Sequence, residues 1–273
     1  MILADVQSQP DDRGLVVDEV GVTGLRYPIS VLDRERSKQD TVAEVSMAVA
    51  LPARLKGTHL SRFIEILDEH AGELTQATLP AVLGELRRRL DSPAARIRLS
   101  FPYFLPRRAP VTGSTALMDY ACVFTARSFG RAVEFGLSVR VPVTSVCPCS
   151  KAVSDYGAHN QRGRVTIEVT PRRDSDGEFA LVWIEELVEV AEASASSPVY
   201  PLLKRADERH VTMAGYDRPV FVEDMARGVA TCLRGDPRIA QFAVEVVNDE
   251  SIHNHAAYAR LSWPALATSG GVQ

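Results

Sequence analysis

The densest run of side chains able to do chemistry lies between residues 147 and 162. It contains Cys147 and Cys149, followed by His159. Cysteine thiolate and neutral imidazole are preferred ligands of zinc and similar metals, and a catalytic site takes three protein ligands and leaves a position for water. The spacing of these residues matches no common zinc-finger pattern. A metal site and a pair of small buried cysteines beside a turn histidine are therefore both compatible with the residues alone.

Two further polar segments carry groups of the same kinds. His253 and His255 stand two apart, so an extended backbone would put them on one side, facing either a site or solvent. The stretch 196–209 carries the paired cations Lys204 and Arg205 together with paired acids, and its simplest interpretation is a solvated loop with local ion pairs.

Glu223 lies in the first turn of a predicted helix over 219–233, where an acid complements the helix dipole. At 100° per residue it sits about 200° from Phe221 and off the apolar stripe of that helix. It therefore faces solvent or a cleft at an interface.

The apolar pattern predicts the elements that position these groups. Alternation predicts strands over 43–51, 97–101 and 117–125, and helical spacing predicts helices over 58–69, capped by Thr58, and from Pro80 to Leu90, with Thr78 as cap. We interpret the first half as ββααββ, in which these patterns supply every element except the first strand.

The second half shows the same periods. Its predicted strands cover 133–143, 165–169, 242–246 and 257–263, and its predicted helices cover 181–192 and 219–233. The order again reads ββααββ, which predicts a duplicated architecture joined near 127–132.

We therefore predict an α+β fold of two tandem units, each an antiparallel sheet with two helices on one face. The units cover 15–128 and 129–264, and 1–14 and 265–273 are expected to be mobile ends. Open sheets leave unpaired edges that assembly into a barrel would remove, so a homo-oligomer is expected.

Composition limits the class of function. The 273 residues are 45% apolar and 24% charged, with a net charge of −4, which predicts a soluble globular protein with no general attraction for nucleic acid. Apolar runs fall short of the roughly 20 residues of a membrane helix, and the polar, acidic N-terminus is unlike a secretion signal. Four cysteines are too sparse for a disulfide framework. A cytoplasmic protein without nucleic-acid or membrane partners is expected.

Several motifs, in this order along the chain, together resemble the type IB GTP cyclohydrolases, and the resemblance spans about Val22 to Trp263. They are Gly57-Thr-His-Leu-Ser-Arg-Phe63, Cys147-Pro-Cys-Ser-Lys151, Tyr156-Gly-Ala-His-Asn-Gln-Arg162, Ser197-Pro-Val-Tyr200, Leu203-Lys-Arg205, Asp207-Glu208, Phe221-Val-Glu-Asp224 and Glu250-Ser-Ile-His-Asn-His255. The resemblance implies the tunnelling fold, which is built from duplicated ββααββ units assembled into barrels.

The resemblance also implies a reaction. GTP and water would give 7,8-dihydroneopterin triphosphate and formate, the entry to folate and related pterin or deazapurine pathways. It implies a divalent metal (zinc, manganese or iron) and no organic cofactor. The metal would be held by Cys147, His159 and Glu208 with His253 near it, and would supply hydroxide to C8 of guanine.

The remaining implied roles concern protons and substrate. His253 and His255 would move protons during ring opening and recyclisation, and Glu223 would accept hydrogen bonds from guanine N1–H and the 2-amino group. The candidate cations for the triphosphate are Lys151, Arg162, Lys204 and Arg205. The family suggests a homotetramer with sites at subunit interfaces.

Some points stay open in the sequence. The role of Cys149 is undecided, and Met213 and Arg218 depart from the glutamate and asparagine expected there. One alternative function is a nitrile reductase of the same fold, with Cys147 as covalent nucleophile and a nicotinamide as hydride donor. Another is a non-catalytic scaffold in which both cysteines and His159 close a structural zinc site.

Overall fold

The computed structural model describes residues 5–7 and 9–264. These residues form nine strands and six helices. The strands are β1 (Val17–Asp33), β2 (Ser37–Leu51), β3 (Ala94–Arg108), β4 (Thr115–Phe129), β5 (Ala132–Val146), β6 (Asn160–Pro171), β7 (Ser197–Pro198), β8 (Ile239–Asp249) and β9 (Ala256–Trp263). The helices are α1 (Leu60–His70), α2 (Leu79–Arg89), α3 (Pro148–Val153), α4 (Ile184–Ser194), α5 (Arg205–Asp217) and α6 (Val222–Gly235).

The chain divides into two compact units. The first contains the chain up to Pro102 together with 123–137 and 175–179, and the second contains 103–122, 138–174 and the chain from Ala180 onward. In the first unit the alternating apolar side chains of β2 and β3 are buried, as the sequence pattern predicts, together with the apolar stripes of α1 and α2. This burial of one face per element is the main source of stability.

Both predicted helices of the first unit are confirmed, and so is one of their two predicted N-cap residues. The N-cap of α1 is His59 and not Thr58, and it makes no side-chain capping bond. Thr78 is the N-cap of α2, and its hydroxyl accepts from the Thr75 N–H at 2.9 Å and donates to the Glu73 carbonyl at 2.8 Å. The Thr78 hydroxyl therefore stabilises the preceding turn and makes no hydrogen bond to the N–H groups at the start of α2.

In the second unit, alternate residues of β5, β6 and β8 and the apolar stripes of α4 and α6 are buried. Strand β6 pairs antiparallel with β8, and β8 with β9. The short β7 pairs with the end of β5 through Val143 and Thr144. The carboxyl end of β5, the start of β6 and the β8–β9 turn all belong to this unit.

The predicted fold class of two tandem tunnelling-fold units, each with its own sheet, is wrong, although the α+β class is correct. The strands form one antiparallel sheet in the order β1-β2-β3-β4-β5-β6-β8-β9, with β7 added beside β5. The predicted join is a tight turn between β4 and β5, where Gly130 has φ of +58°. Across that turn Arg127 pairs with Glu134 at 2.7 Å.

The element order of the second half also differs from the predicted ββααββ. It reads β5-α3-β6-α4-β7-α5-α6-β8-β9, so α3, β7 and α5 are additional. The hydrophobic pattern of the sequence does not predict helix α5, because only Asp207 and Gly215 of its residues are buried. A helix with so little apolar surface has no 3.6-residue hydrophobic period for sequence analysis to find.

The predicted mobile ends fall partly outside the described residues, since 1–4, 8 and 265–273 are not described. Part of the N-terminal segment pairs with a later loop. Lys56 N–H donates to the Gln9 carbonyl at 3.0 Å, Gly57 N–H donates to that of Gln7 at 3.1 Å, and Pro10 forms a bridge with Leu55. Among the described residues, no helix has the length and apolar character needed to cross a membrane.

Candidate active site

Strand β5 delivers Cys147 to its carboxyl end. The strand ends at Val146, and Cys147 is the N-cap of α3 with ψ of 118°. Pro148 occupies the first helical position, where its missing N–H leaves no bond unmade. The half-buried Cys147 Sγ accepts a hydrogen bond from the Ser150 N–H at 3.4 Å. The thiolate is the metal-binding and nucleophilic form of cysteine.

His159 lies beside Cys147, immediately before β6. The Cys147 N–H donates to the His159 carbonyl oxygen at 3.1 Å, and the His159 N–H donates to Ser150 Oγ at 3.2 Å. One backbone hydrogen bond therefore joins two of the predicted metal ligands where the chain leaves β5 and enters β6, and the Ser150 side chain also contacts His159.

A hydrogen-bonded relay fixes the His159 ring. Gln161 Nε2 donates to Glu250 Oε1 at 3.3 Å, so the Gln161 amide oxygen faces the ring and accepts from Nδ1–H at 3.1 Å. A Glu250 oxygen also lies 3.8 Å from Nδ1. The side chains of His159 and Glu250 are only 13% and 11% exposed. With the amide in this orientation Nδ1 carries the proton, and Nε2 is the ring nitrogen whose lone pair could bind the predicted metal ion.

The relay also connects His159 to the turn between β8 and β9. Glu250 follows β8 directly and opens the turn that carries His253 and His255. Both of these histidines are exposed, and their rings stack with centroids 5.1 Å apart and planes 15° apart. Three of the predicted site histidines thus belong to one connected region of the second unit.

Helix α5 presents three more predicted site residues at its start. Lys204 is the N-cap, Arg205 is the first helical residue and Glu208 lies in the first turn, and all three are exposed. Between them, Asp207 is completely buried. Burial raises the pKa of Asp207, but hydrogen bonds from Thr112 and the backbone outweigh this effect and lower its pKa below the usual range.

The other predicted substrate contacts lie on three different elements. The Lys151 ammonium on α3 donates to the Tyr216 carbonyl oxygen at 2.6 Å and lies 4.1 Å from the centre of that ring, which ties α3 to α5. Arg162 is exposed on β6, and Glu223 is the exposed second residue of α6.

The positions that sequence analysis left open are all at the surface. Cys149 is exposed on α3, and Met213 is 48% exposed on α5. Arg218 is the C-cap of α5, and its guanidinium donates to the Ala193 carbonyl oxygen near the end of α4. Arg218 therefore has a structural contact between two helices.

A buried ion pair occupies the same unit. Arg107 of β3 contacts the Glu192 carboxylate of α4, and the exposed fractions of the two side chains are 18% and 8%. The Tyr120 hydroxyl lies 3.5 Å from the same carboxylate, and the Tyr200 ring centre lies 6.0 Å from the guanidinium. Burial raises the pKa of Glu192, and Arg107 opposes that effect.

One group of metal-ligating side chains is already assembled, and it is not a predicted one. Within residues 5–7 and 9–264, the acid and imidazole atoms of Glu69, His70 and Glu85 lie within 4.8 Å of one another, whereas Cys147 and its predicted co-ligands form no such group. Arg89 pairs with both carboxylates. The hydrogen bond from His70 and the pairing with Arg89 lower the pKa of Glu85. This possible metal site is therefore also an ion-pair network joining α1 to α2.

Solved structures of urate oxidases share the fold. Uricase from Arthrobacter globiformis aligns with a TM-score of 0.50 at 9% identity, covering 93% of this chain and 96% of that chain. A highly active mutant of urate oxidase from Bacillus sp. TB-90 aligns with a TM-score of 0.54 at 10% identity, covering 90% and 99%. The architecture is thus that of urate oxidase structures, and this finding replaces the predicted tandem-unit fold.

Sequence comparison gives the family. The family model described as type I GTP cyclohydrolase folE2 matches residues 3–259. The chain is similar to GTP cyclohydrolase FolE2 of Methylococcus capsulatus, at 52% identity over 95% of this chain and 94% of the relative. It is 50% identical to that of Magnetococcus marinus, with 94% of each chain covered. The chain belongs to the type I GTP cyclohydrolase folE2 family. The motif resemblance also indicates a GTP cyclohydrolase family.

Proposed function

We propose that this chain is a GTP cyclohydrolase I (EC 3.5.4.16) of subtype IB that converts GTP and water into 7,8-dihydroneopterin triphosphate and formate, the first step of tetrahydrofolate biosynthesis. The observation that carries the proposal is the family match over residues 3–259. The placement of Cys147 beside a ring-fixed His159 supports it chemically.

The donor set fits a divalent metal. Thiolate, imidazole and carboxylate together suit zinc, manganese or iron. The relay through Gln161 holds His159 by Nδ1, which is the outer-shell arrangement typical of metal-binding histidines. Cys147, His159 and Glu208 would hold the ion, with His253 near it. When bound, such an ion lowers the pKa of water and supplies hydroxide for attack on guanine C8.

The chain's own residues supply the proton transfers. Opening the imidazole ring, releasing C8 as formate and closing the pterin ring each require protons to move at neutral pH. His253 and His255 are exposed, and an imidazole ring has both a nitrogen that can donate a proton and one that can accept a proton. Their stacking positions two such groups side by side.

Glu223 selects the base. Its exposed carboxylate in the first turn of α6 accepts two hydrogen bonds, which guanine offers from N1–H and the 2-amino group. Adenine presents no such pair, so it would leave the carboxylate unsatisfied.

The triphosphate is bound by cations, the candidates being Lys151, Arg162, Lys204 and Arg205. Lys204 and Arg205 are adjacent and exposed at the start of α5, whereas Lys151 already donates to Tyr216. The pair on α5 is therefore the better placed to meet phosphate oxygens, and arginine suits bidentate contact.

The active assembly is a cytoplasmic homotetramer with sites at subunit interfaces, and it uses no organic cofactor. Glu208, Glu223 and His253 are all exposed in the single chain. A second subunit covering them would exclude water from the reaction, which strengthens electrostatic interactions in the site.

The proposal is tested by incubating GTP with metal-stripped protein before and after restoring manganese or zinc. Mass spectrometry should show metal-dependent formation of dihydroneopterin triphosphate. The Cys147→Ala variant should lose it, whereas Cys232→Ala, which removes an exposed cysteine of α6, should keep it. Intact GTP with every metal, in protein shown to be folded, would contradict the proposed reaction.

A further inference from the structure

Helix α5 is fixed to the second unit by very few groups. Only Asp207 and Gly215 among its thirteen residues are buried. Gly215 packs at ordinary distances near Ser197 and Val146. Apolar packing therefore contributes little at the start of the helix, and the buried carboxylate of Asp207 is the main attachment there.

The Asp207 carboxylate accepts four hydrogen bonds from two separate segments. Oδ1 accepts from the Val111 and Thr112 N–H groups, each at 2.9 Å. Oδ2 accepts from the Thr112 hydroxyl at 2.7 Å and from the Lys204 N–H at 3.0 Å. Hydrogen bonds to an ionised acceptor are short and strong, so one buried side chain joins the N-cap of α5 to the connection between β3 and β4.

The β3–β4 connection is a firm anchor. Its closing hydrogen bonds run from Ala109 N–H to the Ser114 carbonyl at 2.8 Å and from Gly113 N–H to the Ala109 carbonyl at 3.1 Å. Gly113 has φ of +69°, a conformation that suits glycine. Because the turn is closed by its own hydrogen bonds, its Val111 and Thr112 N–H groups have fixed positions, and they fix the Asp207 carboxylate that accepts from them.

We propose that Asp207 is the positioning residue that fixes the start of α5, and through it Glu208, Lys204 and Arg205, in the geometry required for metal and triphosphate. This inference rests on the proposed function. Glu208 follows Asp207 directly and points about 100° away around the helix, so the buried carboxylate and the exposed one are set by the same turn of backbone. Asp207 contacts neither substrate nor metal in this scheme.

The test measures Mn²⁺ affinity of the full-length, metal-stripped protein by equilibrium binding, a readout that does not depend on turnover. Asp207→Asn removes the charge that all four donors face while keeping the side-chain size. It should weaken Mn²⁺ binding roughly 10- to 100-fold, the effect typical of outer-shell changes, and raise KM for GTP more than it lowers kcat. Asp217→Asn, an exposed acid at the other end of α5, is the matched control and should bind as wild type.

A conservative pair separates positioning from general loss of structure. Thr112→Val deletes one of the four donors and should weaken Mn²⁺ binding in the same direction but less, whereas Thr112→Ser keeps the hydroxyl and should restore wild-type affinity. This pair also decides the question if Asp207→Asn fails to fold. Equal affinities for the valine and serine variants would then overturn the proposal.

Glu208→Gln distinguishes failure of this inference from failure of the proposed function. Weakened Mn²⁺ binding in Glu208→Gln together with wild-type binding in a folded Asp207→Asn would overturn the positioning role alone. Unchanged binding in Glu208→Gln would contradict the proposed ligand set and, with it, the route by which Asp207 acts.

Discussion

Replacing Gln161 with methionine tests the His159 relay most sharply. The side chain is buried at 7% exposure and makes two hydrogen bonds, at 3.1 Å to His159 Nδ1 and at 3.3 Å to Glu250. Methionine has a similar size, so the change deletes polar contacts without opening a large cavity. A neutral hydrogen bond contributes about 1 kcal/mol and one to a charged group about 1.5–3 kcal/mol. Gln161→Met should therefore lower the free energy of unfolding by about 2.5–4 kcal/mol.

The same variant should weaken metal binding. Without the amide oxygen, the His159 ring loses the acceptor that holds its Nδ1 proton, and Nε2 is no longer oriented. Loss of such an outer-shell partner typically costs roughly 10- to 100-fold in metal affinity. Urea unfolding and Mn²⁺ titration measure the two effects, and Gln241→Met, at an exposed position of β8, is the control. A Gln161→Met protein with wild-type stability and wild-type Mn²⁺ affinity would refute the relay.

Three further predictions concern packing, base choice and pH. Gly163→Ala should destabilise the protein by about 1–3 kcal/mol in urea, because a Cβ there would meet a side-chain oxygen at 2.5 Å, whereas Gly72→Ala, with open space around it, should change stability little. Glu223→Gln should raise KM for GTP at least tenfold by removing the charged acceptor of the guanine edge, and an unchanged KM would exclude this role. Arg107→Leu should cost about 3–5 kcal/mol at pH 7 by leaving the Glu192 carboxylate buried without its cation. Burial raises the pKa of Glu192 in the folded protein above its value in the unfolded chain. The free energy of unfolding therefore falls as pH rises from the unfolded-state pKa to the folded-state pKa. The deficit of Arg107→Leu should thus shrink as pH is lowered towards the ordinary pKa of a glutamate, and a pH-independent deficit in thermal unfolding would argue against this cause.

The local elements could largely be predicted from the sequence because burial of one face leaves a period. The alternation of Val139, Val141 and Val143 predicts β5, and these residues are fully buried. The order in which strands pair in a sheet leaves no such period in the sequence. The sequence pattern therefore does not show that the tight turn at Gly130 makes β4 and β5 neighbours in one sheet.

Helix α5 shows the limit of hydrophobic periodicity. It is held by a buried aspartate and not by an apolar stripe, so its charged residues resemble a solvated loop in sequence. Predicting this helix from the sequence would require knowing that Asp207 accepts a hydrogen bond from Thr112, which lies far from it along the chain. Only the fold brings such groups together.

The candidate site divides in the same way. Cys147 and His159 lie in one connection, and residue type and motif suffice to single them out. The sequence assigns no role to Gln161 and Glu250, because their hydrogen bond joins β6 to the turn after β8, which is distant in sequence. The cyclohydrolase function predicted from the motifs is confirmed by the family match, whereas the ligand set and the tetramer stay predictions.

The proposed GTP cyclohydrolase reaction is tested most directly by following the C8 atom of guanine. GTP labelled with ¹³C at C8 is incubated with the manganese-loaded protein, and the label is followed by NMR. In the proposed reaction the label appears in formate, one equivalent for each dihydroneopterin triphosphate formed, and Cys147→Ala should abolish both products. Label retained in a purine, or in a ring-opened product that never releases formate, would contradict it.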